Sequence, residues 1–253
     1  MNYLPTTPQQ KARMLAMCGV GSLDELFADI PPHLAPASFD LPQGCSEQEL
    51  VQRFEALARK NRTDLLLFAG GGFYDHFIPS AIDALVGRSE FFTAYTPYQP
   101  ELSQGYLQTI YEFQTMIAEL YGMDVANASM YDGATATAEA AIMAHGVTGK
   151  SEVWVSEALH PHYRQVLETY CRSAGLTVRS LTASGGATFG DNEASPETED
   201  AACIIVQSPN FFGVIEDLRA ARDMATGCGA LLVVVADPVA CAILKPPGEY
   251  GAD

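Results

Sequence analysis

From Ser103 onward the apolar positions fall into helical spacing. Leu107, Ile110, Ile117 and Leu120 share one face with Gln114, and Gly122 stands where such a helix stops. The pattern then alternates. A small-residue helix over 133–145 gives way to a strand over 152–156. A helix over 161–174, closed by Gly175, leads to a strand over 176–181, and residues 203–207 read as a buried strand. A helix over 215–226 precedes the uninterrupted apolar run 230–236, as expected of a strand covered on both faces. Strands alternating with helices predict an α/β domain of three layers around a mostly parallel sheet.

The first hundred residues have a different texture, with short helices between proline-bearing loops. Ser22 with Glu25 and Ser46 with Glu49 fit the S-x-x-E capping box, and Leu50, Phe54, Leu57 and Ala58 then form one apolar helix face. Pro31 and Pro32 end the first helix, and the extended stretch through Pro36 and Pro42 reads as an arm. The expected division is residues 1–100 as a helical arm with a loop region and 101–253 as the α/β large domain.

Charge narrows the classes. With 31 acidic and 14 basic residues in 253, the net charge of -17 repels polyphosphate backbones, so nucleic acid is not an expected partner. The acidic stretch 191–200 reads as a solvated loop. No apolar run approaches membrane-spanning length and no apolar signal core follows the N-terminus, so no membrane association and a cytoplasmic location are expected. The six cysteines show neither a C-x-x-C pair nor zinc spacing, and read as incidental thiols; no metal is expected.

In open α/β sheets ligands lie beyond the carboxyl ends of the strands. Three places qualify. The loop NASMYDGAT (127–135) runs into a helix and fits either a phosphate cradle, which Asp132 would oppose, or an ordinary N-cap. His160 and His162 in SEALHPH follow a strand, and fit ring stacking or proton transfer as well as a plain hydrogen-bonded loop role. Asp237 ends the apolar strand and fits either a partner such as a pyridinium N–H or a turn cap. Together these outline an aminotransferase-like, pyridoxal phosphate domain. Such a domain needs a Schiff-base lysine, yet Lys11, Lys60, Lys150 and Lys245 are all poorly placed for it. A second cluster is denser in functional groups: Tyr74, Asp75 and His76, then Tyr95, Tyr98, Glu101, Ser103 and Gln104 on a proline-rigidified loop.

The segments YTPYQPELSQG and LQTIYEFQTMIAELYGMDVANASMYDGATATAEA resemble the glycine decarboxylase P-protein family, subunit 1 of its two-subunit form. The likeness extends through YLPTTP, SLDELFADIP, YDHFIP, SEALHPHYR, QSPNFFG, VVADPVA and LKPPGEYGAD, essentially the whole chain. The resemblance implies a fold-type I architecture and a partner, P-protein subunit 2, that holds the pyridoxal phosphate. It further implies that glycine is decarboxylated and its aminomethyl group passed to the lipoyl arm of the H-protein. Carried over, Tyr95 and Tyr98 line the glycine end of a shared cleft with Glu101 and Gln104 in support, while Asp132, Thr135, His160 and Asp237 become vestigial cofactor positions. The family's subunits continue past Asp253, so the large domain is expected to be incomplete. Two alternatives stay open: a non-catalytic docking subunit, and a self-sufficient enzyme using Lys245.

Overall fold

The computed structural model describes residues 5–34, 40–92, 96–189 and 200–253, which fall into two compact units, 1–66 and 67–253. In the first, α1 (Pro8–Met17) starts at Thr7, whose hydroxyl accepts from the Gln10 amide while the Gln10 side chain accepts from the Thr7 amide, and Pro8 supplies a preset φ at the first helical position. Ser22 and Glu25 do bond to each other, but they open only the 3-10 turn Asp24–Phe27. Ser46 and Glu49 form the expected box at the start of α2 (Glu47–Ala58). The α2 face carrying Leu50, Phe54 and Leu57 is exposed, and none of the described residues of this unit is buried. Its helices are held by capping and local hydrogen bonds, with no buried core among the described residues.

The second unit begins with a glycine turn. Gly70, Gly71 and Gly72 all take positive φ, and the Phe73 amide closes the turn on Gly70 O. Two short helices follow, α3 (Ala81–Val86) and α4 (Ser89–Phe92), and then the long α5 (Gln104–Tyr121). Gly122 ends α5 in the left-handed conformation, and the α5 face predicted from spacing is the half-buried one.

Helix α6 (Gly133–Thr148) runs one turn longer than its pattern suggested. The strands β1 (Glu152–Ser156), β2 (Thr177–Leu181), β3 (Ala201–Gln207) and β4 (Leu231–Val235) form one parallel sheet in the order β2-β1-β3-β4, with α7 (Pro161–Ala174) and α8 (Leu218–Gly227) as crossovers. The acidic stretch 191–199 lies outside the described residues.

β3 is the spine. Its Cys203 and Ile205 enter a core with α6 and α7 (Ala138, Ala141, Leu167, Cys171), while Ile204 and Val206 enter the opposite core with α8 (Leu218, Ala221, Ala225). The three layers expected from the alternation are therefore present, and period-two alternation of one strand feeds both interfaces. β4 also contributes to both cores, but only Leu232 is fully buried, because β4 is an edge strand among the four described.

Candidate functional site

The chain leaves β1 toward β2 on one side and leaves β3 toward β4 on the other, so the crevice between the carboxyl ends of β1 and β3 is the switch point where open α/β sheets place ligands. His160 stands there. Its amide donates to Gln207 Oε1 at 2.8 Å, and the Phe211 amide donates to Ala158 O at 2.9 Å, stitching the two strand ends together. The His160 ring is bonded on both edges. Nδ1 accepts from the His162 amide at 3.1 Å, which leaves Nε2 to carry the proton toward Gly71 O at 3.1 Å. Three rings surround it, those of His162, Tyr163 and Phe211, at centroid distances of 5.2, 5.2 and 5.1 Å.

The neighbouring helix start belongs to the same group. Asp132 caps α6: Oδ1 accepts from the Thr135 amide at 2.7 Å and from its hydroxyl at 2.8 Å, while the Asp132 amide donates back to Thr135 Oγ1 at 3.2 Å. The Thr135 amide, then its hydroxyl, hold the Asp132 carboxyl below the usual range. A Cβ placed on Gly133 would lie 2.3 Å from the Tyr163 hydroxyl, so the phenol occupies the space directly beside the first turn.

Asp237 is exposed and caps the turn after β4, its Oδ1 accepting from the Val239 amide at 2.8 Å. Tyr121 reaches the same strand end and donates to Ala236 O at 2.9 Å; burial first, and the nearby Cys241 and Asp237 next, push its phenol up to about 12.

A buried network behind this crevice was not foreseen from the sequence. Glu216, 4% exposed, accepts from the amides of Thr188 (3.0 Å) and Phe189 (3.2 Å) and from Asn210 Nδ2 (2.8 Å), while its own amide donates to Ser208 Oγ. Ser156 Oγ bonds Thr188 Oγ1 and accepts from the Ala158 amide, so the network continues to the end of β1. The signal was an acid at the start of an amphipathic helix, which reads more naturally as a solvated first turn.

The tyrosine loop forms a separate feature. Tyr98 is 83% exposed and lines an open cleft of about 1010 Å³ between α3, α4 and the start of α5, together with Arg88, Glu90, Phe91, Tyr106 and Thr109. Glu101 and Gln104 are exposed and do not line it; the Gln104 amide side chain bonds Glu101 O at 3.3 Å and ties the loop to α5. Tyr95 lies outside the described residues. Tyr74, Asp75 and His76 are exposed beyond the glycine turn. Among the described residues no group of three or more His, Cys, Asp or Glu could hold a metal ion, and no helix is long and apolar enough to cross a membrane.

The strand-end residues do not fit a covalently held pyridoxal phosphate. The Thr135 amide at the start of α6 is taken by a carboxylate, the histidine is bonded on both edges, and both lysines of this unit are engaged elsewhere. Lys150 Nζ donates to Cys228 O and Gly229 O at 2.8 Å, and Lys245 Nζ lies 3.4 Å from Glu249 and over the Tyr250 ring.

Comparison with known proteins agrees with the architecture. The family described as glycine cleavage system P-protein matches residues 1–253. "Probable glycine dehydrogenase (decarboxylating) subunit 1" of Geobacillus thermodenitrificans is 48% identical over 99% of this chain and 57% of that protein. The protein of the same description from Chlorobium phaeobacteroides is 50% identical over 100% and 58%. A crystal structure of glycine decarboxylase (P-protein) of the glycine cleavage system in inhibitor-bound form superposes with a TM-score of 0.88 at 46% identity, covering all of this chain and 57% of that one. A sphingosine-1-phosphate lyase of Burkholderia pseudomallei shares the fold alone, with a TM-score of 0.54 at 14% identity over 81% of this chain and 51% of its own. The chain thus spans about 57% of the length of the curated relatives it matches.

Proposed function

The chain belongs to the glycine cleavage system P-protein family, and from that premise we propose that it is part of subunit 1 of a two-subunit glycine decarboxylase. In this reading a second subunit holds the pyridoxal phosphate. The pair removes carbon dioxide from glycine and delivers the aminomethyl group to the lipoyl arm of the H-protein, in the cytoplasm.

The observation that carries the reading is the state of the lysines. Lys150 and Lys245 are committed to Cys228, Gly229 and Glu249. Lys11 and Lys60 belong to the unit of helices whose described residues form no buried core. These engagements favour a cofactor anchor contributed from outside these 253 residues.

What this chain supplies is a wall. Tyr98 stands on a loop stiffened by Pro97 and Pro100, its amide donating to Thr96 O at 2.8 Å, so the phenol is presented with little conformational freedom to lose. Its hydroxyl can orient a small zwitterion at the mouth of a site that the second subunit completes. By the family resemblance Tyr95 would line the same glycine end, with Glu101 and Gln104 supporting the two tyrosines.

Tyr98→Phe in the reconstituted two-subunit complex tests this. Turnover of glycine falls by about tenfold or more, the scale of one lost hydrogen-bonding group. Unchanged kcat and KM would remove Tyr98 from the site.

A docking role is the second reading, favoured by the exposed Leu50, Phe54 and Leu57 face of α2. It expects Tyr98→Phe to leave chemistry intact, and removal of residues 1–66 to abolish assembly.

A further inference from the structure

We infer that the strand-end site of this chain is sealed against phosphorylated ligands by its own residues, with Asp132 serving as a built-in anion at the start of α6. This goes beyond the division of labour proposed above, because it concerns how this chain refuses a ligand and not which chain accepts one.

A helix start offers two things to a phosphate, free amides and a positive end. Here the Thr135 amide is taken and a carboxylate already sits at the positive end. The Asp132 carboxylate takes the Thr135 amide and hydroxyl at 2.7 and 2.8 Å and places a full negative charge where an incoming dianion would have to sit. The reciprocal bond from the Asp132 amide to Thr135 fixes that carboxylate, so it cannot swing aside without uncapping a 16-residue helix.

The ring position is closed by a different device. Gly70–Gly72 take left-handed conformations that let the backbone approach His160, and Gly71 O bonds the imidazole at Nε2. A Cβ on Gly72 would lie 3.8 Å from that same nitrogen, and one on Gly71 would meet the Phe211 ring at 3.6 Å. The glycine turn, Phe211 and Tyr163 together surround the histidine that would otherwise face a flat ring. The two devices come from distant segments, and each alone defeats part of the same ligand.

The test uses the intact subunit in its two-subunit complex, as native protein and as Asp132→Ser, which keeps a capping hydroxyl, and Asp132→Asn, which keeps the shape of the cap and removes the charge. Each is titrated with inorganic phosphate. Each is also incubated with pyridoxal phosphate, fixed with borohydride and mapped for pyridoxyl-lysine on both chains. Circular dichroism and melting establish that the variants are folded.

Native complex should show no saturable phosphate binding attributable to this chain and no pyridoxyl-lysine on it. At least one folded variant should gain phosphate affinity by about tenfold, the scale of one charge at a helix end. Saturable binding to the native chain, or two folded variants with no gain, would overturn the inference. The same peptide map reads the second subunit separately. A missing pyridoxyl-lysine there would sink the division of labour while leaving the statement about Asp132 standing.

Discussion

The Glu216 carboxylate accepts a 2.8 Å hydrogen bond from the Asn210 side-chain amide, and the two residues together hold the loops that follow β2 and β3. Asn210 Nδ2 also donates to Gly186 O at 2.7 Å, and its Oδ1 accepts from the amides of Phe212 and Val214 at 3.0 and 3.1 Å. A carboxylate buried to this degree persists because every donor around it is aimed at it. Glu216→Ala leaves the Thr188 and Phe189 amides and the Asn210 side chain without their acceptor. The expected loss is about 3 kcal/mol or more, read as a lower urea midpoint with an unchanged m-value. Glu216→Gln keeps an acceptor oxygen and should cost less. A midpoint equal to wild type for the alanine variant would mean that the network contributes nothing.

Gly133 is forced by packing and not by φ. Its absent side chain makes room for the Tyr163 hydroxyl, 2.3 Å from where a Cβ would be, with ring carbons at 2.9 and 3.0 Å. Alanine normally improves a helix by about 1 kcal/mol over glycine. Here overpacking should reverse the sign, and Gly133→Ala should destabilise by about 1–3 kcal/mol. Tyr163→Phe removes the nearest atom only, so the double variant should recover part of the loss. Strict additivity of the two changes in a thermal melt would contradict the contact.

Much of the fold could be read from periodicity, because the elements that carry it obey one rule each. β1 and α7 occupy the residues expected of them, and Gly122 and Gly175 terminate α5 and α7 in the left-handed conformation that glycine permits. The miss at α8 is instructive. The spacing predicts a start at Ile215, but Asp217 is the N-cap, accepting from the Arg219 and Ala220 amides, and Glu216 turns inward one residue earlier. Two adjacent acids stand at this helix start, and only tertiary structure separates their roles. The Thr7–Gln10 box at α1 carried a signal in T-x-x-Q that passes easily for loop chemistry beside Pro5 and Pro8. The positions at strand ends and helix starts were legible, and their bonding less so. His160, Asp132 and Asp237 do stand at strand ends and helix starts, but the bond from His160 to Gly71 spans 89 residues, and no local pattern encodes it.

That bond makes a prediction of its own. His160→Ala removes the group that fixes Gly71 O, and the turn Gly70–Phe73 then rests on its own Phe73-to-Gly70 bond. Amide hydrogen exchange in the peptide covering 70–73 should accelerate by about tenfold for a loss near 1.4 kcal/mol, while β3 amides remain protected. His160→Gln, with a donor and an acceptor on one side chain, should restore part of the protection. Equal exchange in all three proteins would show that the turn is held by something else.

The thiols set an alkaline limit on the large unit. Burial pushes the Cys171 thiol up to about 11, and burial with the nearby Cys171 pushes Cys203 up to about 12. At pH 8 both should be protonated and inert to an aromatic disulfide reagent, while exposed Cys18 and Cys45 react at once; unfolding in guanidinium should release the remainder. Four equally fast thiols in the native protein would contradict the burial. The sign of the linked stability follows from the same shifts. Each group binds its proton more tightly folded than unfolded, so the stabilisation is complete below the ordinary thiol value of 9.0 and is lost as pH climbs through the folded values of about 11 and 12. Tyr121, raised from 10.0 to about 12, adds to the same trend in the upper part of that range. The urea midpoint should therefore be flat across neutral pH as far as these groups are concerned and fall steadily above pH 9.0. Replacing Cys171 with alanine lowers the midpoint at every pH through the lost packing, but should make the alkaline decline shallower. An unchanged slope in that variant would assign the decline to other groups.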